Sequence, residues 1–175
     1  MTKKTIRINA LSIYGYQKAI QELNEYKKWL NDKAHELQNR IAEIIVNQAQ
    51  PIFDSAVADD LISMGARTGN VQVSYDDRGK ITVVIADGKD AIFMEFGAGV
   101  YHNGAVGTSP NPWGADFGFT IGSYGENGKR NVWGYKGPDG EIYLTHGVPA
   151  SMPLYNAVQS VLHNLNAIAK EVFNS

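Results

Sequence analysis

The chain has 175 residues, of which 43% are hydrophobic and 19% are charged, and its formal net charge at pH 7 is -2. This length fits a single domain with one core, and this composition excludes a wholly disordered chain. The nearly neutral charge argues against nucleic-acid binding through phosphate contacts, which needs an excess of basic residues. Because cysteine is absent, disulfides, thiolate metal sites and cysteine nucleophiles are excluded as well.

The beginning of the chain contains basic residues but no apolar run of the length that a secretory signal needs. No later segment approaches the roughly 20 apolar residues of a membrane span. The sequence therefore predicts a soluble protein that folds inside the cell and is not exported.

Residues 1–11 are predicted to form an N-terminal arm, because residues 5–8 alternate polar and apolar side chains as a short strand does. Residues 12–58 are predicted to be helical, since side chains that are nearly all apolar recur there every three or four positions. This repeat consists of Leu23, Tyr26, Leu30, Ala34, Leu37, Ile41, Ile44 and Gln48. Proline lacks the amide hydrogen of a helix interior, so Pro51 is expected to end or kink the helix, giving two helices or one with a break.

Residues 69–96 are predicted to hold a β-hairpin, with strands in 71–75 and 81–86, followed by a Glu-Phe-Gly box. Residues 97–130 form a long glycine-rich loop in this prediction. The aromatic residues of the loop favour order on contact with a partner, since a flexible linker gains nothing from burying them. Deletion of residues 104–125 is expected to leave a folded monomer.

A second hairpin is predicted over residues 131–145, and an amphipathic helix over residues 151–173. Ser151 is the expected N-cap of that helix, and Pro153 lies near its first position. The element order predicts an α+β fold in one domain, residues 1–175. In it a long N-terminal helical region and a C-terminal helix pack against an antiparallel sheet of hairpins.

None of the common catalytic or metal-binding motifs is complete. The four histidines lie in different segments without the spacing of metal ligands, and we expect the two helical ones to face solvent. They are His35, His102, His146 and His163, of which the first and last are helical. Gly128-Lys129 resembles the end of a phosphate-binding loop, but Arg130 follows where serine or threonine is required. The sequence therefore implies no catalytic residue, no metal and no cofactor.

Glu95 is the acidic residue of most interest, because its neighbours in 91–99 are apolar and a buried carboxylate needs a partner. The favoured interpretation is that backbone amides or an arginine hold Glu95 and fix a turn. The alternative is a hydrolase that uses Glu95 as its catalytic group. A carbohydrate-binding module is a further alternative, since aromatic rings stack on sugars. The candidate aromatic residues are Tyr101, Trp113, Trp133, Tyr135 and Tyr143.

Several short motifs occur in a characteristic order: the Glu-Phe-Gly box at 95–97, Asn-Pro-Trp at 111–113, a Thr-x-Gly-x-Pro-Ala box at 145–150, and the closing helix. This order resembles the tail-completion or head-tail joining family of siphophages, especially the versions carried by phages and prophages of Gram-positive bacteria. The resemblance runs over most of the chain, although Ala98 stands where many relatives carry threonine. The motif and interface residues are Glu95, Phe96, Gly97, Gly99, Tyr101, Trp113, Trp133, Thr145, Gly147, Pro149, Ala150 and Pro153.

The resemblance implies a structural subunit without enzymatic activity, located in the virion neck and assembled in the cytoplasm of the host bacterium. The implied partners are further copies of the chain in a ring, a portal-side connector or head-closure protein, and a tail terminator or tail tube protein. No membrane and no specific nucleic acid is implied. Another minor capsid or tail-terminator component is the alternative within the same class. The role expected of residues 145–153 is architectural, because glycine and proline there direct the last helix onto the sheet.

Overall fold

The computed structural model describes residues 6, 12–58, 71–88, 90–99, 111–114, 116, 133–136, 139–145, 147–148 and 150–175, and all but residue 6 of the predicted arm lies outside this part. The described part is α+β, as the sequence predicts. Its helices are α1 (Ile13–Ala58), α2 (Ala91–Phe96) and α3 (Pro153–Asn174). Its strands are β1 (Gln72–Asp77), β2 (Thr82–Asp87), β3 (Ala98–Gly99), β4 (Trp133–Lys136), β5 (Ile142–Thr145) and β6 (Gly147–Val148). None of the described helices has the length and apolarity needed to cross a membrane.

Helix α1 is continuous over 46 residues, with Pro51 inside it, so the predicted end of the helix at this proline is wrong. Pro51 deprives the carbonyl group of Asn47 of its usual donor, but both residues are exposed and water reaches this turn. Ala49 and Phe53, on either side of Pro51, are both fully buried in the core. The packing of these flanking residues therefore outweighs the helix-breaking tendency of proline.

The described strands form three separate two-stranded antiparallel sheets, β1 with β2, β3 with β6, and β4 with β5. The sequence predicts one sheet of hairpins instead. In the β1–β2 pair, Gln72 lies opposite Asp87 and Asp77 opposite Thr82. The short helix α2, which the sequence analysis did not predict, intervenes between β2 and β3.

The core lies where α1, the β1–β2 sheet, α2 and α3 meet. Its buried members come from all four of these elements and pack around a fully buried phenylalanine of α1. They are Ile45, Ala49, Phe53, Val71, Val73, Met94, Ala157, Val161 and Ile168. Since Met94 belongs to α2, this core fixes the position of the neighbouring residue Glu95.

Polar side chains of α1 attach the β1–β2 sheet to the helix. The Gln50 side chain donates a hydrogen bond of 2.8 Å to the carbonyl of Val71 and accepts one of 2.7 Å from the amide of Val73. Further along, the Thr82 hydroxyl donates to the Asn39 side-chain oxygen at 2.9 Å. The sheet is therefore held to α1 by directional bonds as well as by apolar contact.

His35 and Asp77 form a salt bridge of 2.9 Å between α1 and β1. The Asn39 side chain also donates to Asp77, at 2.9 Å. The Asn39 hydrogen bond, the Gly79 amide and His35 lower the pKa of the Asp77 carboxyl. His35 keeps 40% of its side chain exposed, so the prediction that it faces solvent is only partly right.

Candidate functional site at the start of the C-terminal helix

The Glu-Phe-Gly box forms the end of α2 and the turn that follows it. Glu95 and Phe96 are buried, and Glu95 has only 4% of its surface exposed. Gly97 terminates the helix with a φ of 78°, a value that disfavours residues with a side chain, and its amide donates to the Phe93 carbonyl at 2.7 Å. The glycine is thus required where the chain turns from α2 into β3.

The Glu95 carboxylate accepts three hydrogen bonds. Its Oε2 accepts from the amide of Leu154 at 2.8 Å, and its Oε1 accepts from the amide of Tyr155 at 2.9 Å. Oε1 also accepts from the Asn111 side chain at 2.8 Å. The first turn of a helix has amide groups without partners inside the helix. Glu95 therefore caps α3 from a distant position in the chain, as the interpretation of a carboxylate held by backbone amides expects.

The start of α3 differs from the prediction. The helix begins at Pro153, two residues after the predicted start at residue 151, and its N-cap is Met152 in the left-handed conformation, with a φ of 52°. The predicted N-cap, Ser151, instead donates its amide to the Met94 carbonyl at 2.9 Å, and the Met152 amide points to the same oxygen at 3.3 Å. Because Glu95 supplies the capping oxygens, the N-cap residue needs no polar side chain.

Strands β3 and β6 pair the two residues that follow the Glu-Phe-Gly box with two residues inside the Thr-x-Gly-x-Pro-Ala box. Ala98 pairs with Val148, and Gly99 pairs with Gly147. Together with the bonds from residues 151–155 to α2, this pairing attaches the second box and the start of α3 to the segment that contains the first box. The architectural role predicted for residues 145–153 agrees with this arrangement.

Asn111 connects part of the predicted glycine-rich loop to the same site. Besides its bond to Glu95 Oε1, the buried Asn111 side chain accepts a hydrogen bond of 3.0 Å from the Trp113 amide. The ring of Trp113 packs edge-on against Tyr155, with 4.9 Å between ring centroids. Deleting residues 104–125 would remove both contacts, so the folded monomer expected from this deletion would lack two of the interactions at the start of α3.

The remaining motif residues are only partly described. Tyr101 and Pro149 lie outside the described residues. Trp133 of β4 pairs with Thr145 of β5, and Ala150 is half-buried before α3. These contacts give the Glu-Phe-Gly box, Asn-Pro-Trp and the glycines of β3 and β6 a structural role at the start of α3. They give no such role to the side chains of the other strand residues.

Metal binding has no support in the described part of the chain, where no group of three histidine or acidic side chains is suitably placed. His163 is exposed on α3, as predicted, and His102 and His146 lie outside the described residues. Both oxygens of Glu95 are already occupied by N–H donors. The hydrogen bonds to Glu95 therefore hold the first turn of α3 against α2.

Burial raises the pKa of Glu95, while the amides of Leu154 and Tyr155 and the side chain of Asn111 act in the opposite direction. The folded state then binds a proton at Glu95 at a higher pH than the unfolded chain, whose carboxyl has the ordinary value of 4.5. This contribution to stability is fully present below the unfolded pKa and is lost as the pH rises through the folded pKa.

We therefore expect the difference in free energy of unfolding between the wild type and Glu95→Gln, which cannot titrate, to shrink from about pH 4 to about pH 7. Chemical denaturation of both proteins across this range measures it. A difference that grows towards neutral pH would show that the three donors outweigh burial.

Comparison of the chain with protein-family models, with curated proteins and with solved structures found no match.

Proposed function

We propose that the chain is a structural protein of a tailed bacteriophage that joins the head to the tail by assembling with other protein subunits into a ring in the virion neck. The ordered motifs at 95–97, 111–113 and 145–150 support this proposal through their resemblance to the head-tail joining family. The alternative within the same class is another minor capsid or tail-terminator component.

The observation that carries the proposal is the apolar surface of the first part of α1. Eight large apolar side chains within residues 13–30 are exposed, by between 39% and 81%. They are Ile13, Tyr14, Tyr16, Ile20, Leu23, Tyr26, Trp29 and Leu30. A concentration of exposed large apolar side chains in one stretch of helix is typical of a site of protein contact.

The hydrolase alternative loses support from the geometry of Glu95. A general acid or nucleophile must reach the substrate, but this carboxylate is buried and both of its oxygens accept hydrogen bonds from the protein. Neutralising Glu95 would weaken its hydrogen bonds to the amides at the start of α3, so its first effect would be structural. Of the aromatic candidates for sugar binding, Trp113 packs edge-on against Tyr155 instead of presenting an open face.

Electron microscopy of particles made without this chain tests the proposed function. A phage or prophage in which the gene has been deleted is expected to accumulate heads and tails that are not joined, and supplying the wild-type gene in trans is expected to restore joined particles. Normal, infectious particles in the absence of the chain would overturn the proposal.

A further inference from the structure

Strand β1 has an edge that β2 does not use. The amide of Arg78 donates to the Ile81 carbonyl at 2.9 Å, which makes these two residues a hydrogen-bonded pair next to the turn. In antiparallel strands every second pair is bonded, so the even-numbered residues of β1 direct their backbone groups to β2. Val73, Tyr75 and Asp77 direct theirs to the other side, which we call the free edge of β1.

The beginning of the free edge is occupied by a side chain of α1. Gln50 donates to the Val71 carbonyl at 2.8 Å and accepts from the Val73 amide at 2.7 Å. The Gln50 amide group thus bonds to β1 as the peptide group of an adjacent strand would. These two bonds show independently that this edge faces away from β2.

The rest of the free edge is open. Within the described residues, no hydrogen bond reaches the carbonyl of Val73 or the amide and carbonyl of Tyr75. Residues 74–77 of β1 are all exposed, whereas residues 82–84 of β2 are half-buried. A row of exposed backbone groups without partners is a template on which an extended segment can add as a further strand.

The open part of the edge is acidic. Strand β1 carries Asp76 and Asp77 and no basic residue, and Arg78 of the turn pairs with Asp76 at 2.8 Å. The two carboxylates outnumber this one fixed positive charge. Because like charges on adjacent strands repel, pairing of the free edge with the same edge of a second copy is disfavoured.

The arm at residues 1–11 has the opposite charge and the pattern of a strand. It contains three basic side chains and no acidic one, and residues 5–8 alternate polar and apolar side chains. Ile6, the one residue of the arm that the structure describes, belongs to no helix or strand. Its charge and its alternation make the arm a suitable partner for the free edge.

The arm of a chain cannot pair with the free edge of the same chain. Helix α1 passes Asp77 at His35, whose side chain bonds to it at 2.9 Å. From Ile13 to His35 the helix is about 33 Å long. The segment from residue 8 to Ile13 spans at most about 18 Å when fully extended. Residue 8 therefore falls short of its own free edge by about 10 Å or more.

We infer that residues 5–8 of one copy of this chain add as a strand to the free edge of β1 in the next copy. The inference rests on the proposed function and adds to it the two segments that form the contact. Because the arm and the edge are different surfaces, each copy can bind one neighbour through its arm and another through its edge. Contacts of this kind can close into a ring.

Two variants test the inference, Tyr75→Pro at the free edge and a deletion of residues 2–11. Proline removes the Tyr75 amide, which makes no bond to β2, so the hairpin should be retained. The deletion keeps Ser12, whose hydroxyl accepts from the Gly15 amide at 3.2 Å at the start of α1.

We expect the wild type to form concentration-dependent oligomers, and each variant alone to associate at least about tenfold more weakly, because main-chain hydrogen bonds of the contact are lost. An equimolar mixture of the two variants is expected to form dimers and nothing larger, since one retains the arm and the other retains the edge. Sedimentation velocity measures all of these masses.

Tyr75→Val is the matched control, because valine removes the aromatic ring but keeps the amide and the preference for a strand. It is expected to associate as the wild type does. Circular dichroism of the three variants checks that each is folded.

A synthetic peptide of residues 1–11 tests the contact directly. Its binding to the deletion variant is expected to slow hydrogen exchange of the Tyr75 amide at least about tenfold, because this amide gains a partner. Combining the deletion with Tyr75→Pro is expected to weaken peptide binding by at least about the same factor.

Four results would overturn the inference: a wild type that is monomeric at about 1 mM, oligomers that either variant leaves intact, a mixture that stays monomeric, or a peptide that binds without protecting the Tyr75 amide. These outcomes are independent of the microscopy of particles that lack the chain, so the inference and the proposed function fail separately.

Discussion

Replacing Glu95 with alanine is expected to lower the free energy of unfolding by about 3 kcal/mol or more. The substitution leaves the half-buried amides of Leu154 and Tyr155 without an acceptor, and the Asn111 side chain keeps only its weaker bond of 3.3 Å to the carbonyl of residue 95. Each unsatisfied buried donor costs about 1–3 kcal/mol, and loss of a helix cap alone costs about 0.5–2 kcal/mol. Urea unfolding, followed by circular dichroism, measures the effect.

Two further substitutions show whether the capping bonds account for the effect of Glu95→Ala. Asn111→Ala is expected to cost about 1–2 kcal/mol, because it removes one donor to Glu95 and leaves the Trp113 amide without its acceptor, but keeps the cap of α3. Glu141→Ala removes the same side chain at an exposed position and is expected to change stability by less than about 0.5 kcal/mol. A cost below about 1 kcal/mol for Glu95→Ala would contradict the capping role.

The long elements of the fold were predictable because periodicity records them directly. The apolar repeat between Leu23 and Ile44 predicted α1, and the β-branched run at 81–86 predicted β2. Helix α2 has six residues and strands β3 and β6 have two each, which is too short for any periodic signal. These short elements are nevertheless the ones that assemble the site around Glu95.

The capping of α3 could not be located from the sequence, although the burial of Glu95 and the use of backbone amides were anticipated. The donors lie 59 and 60 residues away from Glu95. The local rule for a helix start looks for a polar residue directly before the helix, so it selected Ser151. When the capping oxygen comes from a different helix, the residue directly before the capped helix does not need to be polar. The apolar Met152 between Ser151 and Pro153 was the only local sign that the cap lies elsewhere.

The apolar repeat of α1 also shows what periodicity cannot provide. It correctly marks one face of the helix as apolar, but it does not say what covers that face. Leu37 and Ile41 pack against the core, while Leu23 and Leu30 belong to the same repeat and remain exposed. The difference arises because α3 ends beside Lys33, so its length sets how much of α1 it covers. The uncovered part is the basis of the proposed assembly.

Two substitutions near the end of α1 are expected to change the stability of the fold in opposite directions. Phe53→Ala is expected to lower the free energy of unfolding by about 3–5 kcal/mol, because Phe53 of α1 is fully buried in the core together with residues of β1 and α3 and leaves a cavity when truncated. Pro51→Ala, two residues earlier and exposed, is expected to raise the same free energy by about 1–2 kcal/mol. Alanine restores the amide that the Asn47 carbonyl lacks, and the gain is smaller than the full proline penalty of about 3 kcal/mol because proline also restricts the unfolded chain.

Denaturant unfolding of both variants and of the wild type measures these opposite effects. The contrast depends on one continuous helix, since only a helix that continues past Pro51 places Phe53 in the core beside Ala49. If the helix instead ended at Pro51, Phe53 would lie in a connecting segment, and its truncation would cost less than about 1 kcal/mol. A small loss for Phe53→Ala, or a loss of stability for Pro51→Ala, would therefore show that the local preference of proline outweighs the packing of α1 after all.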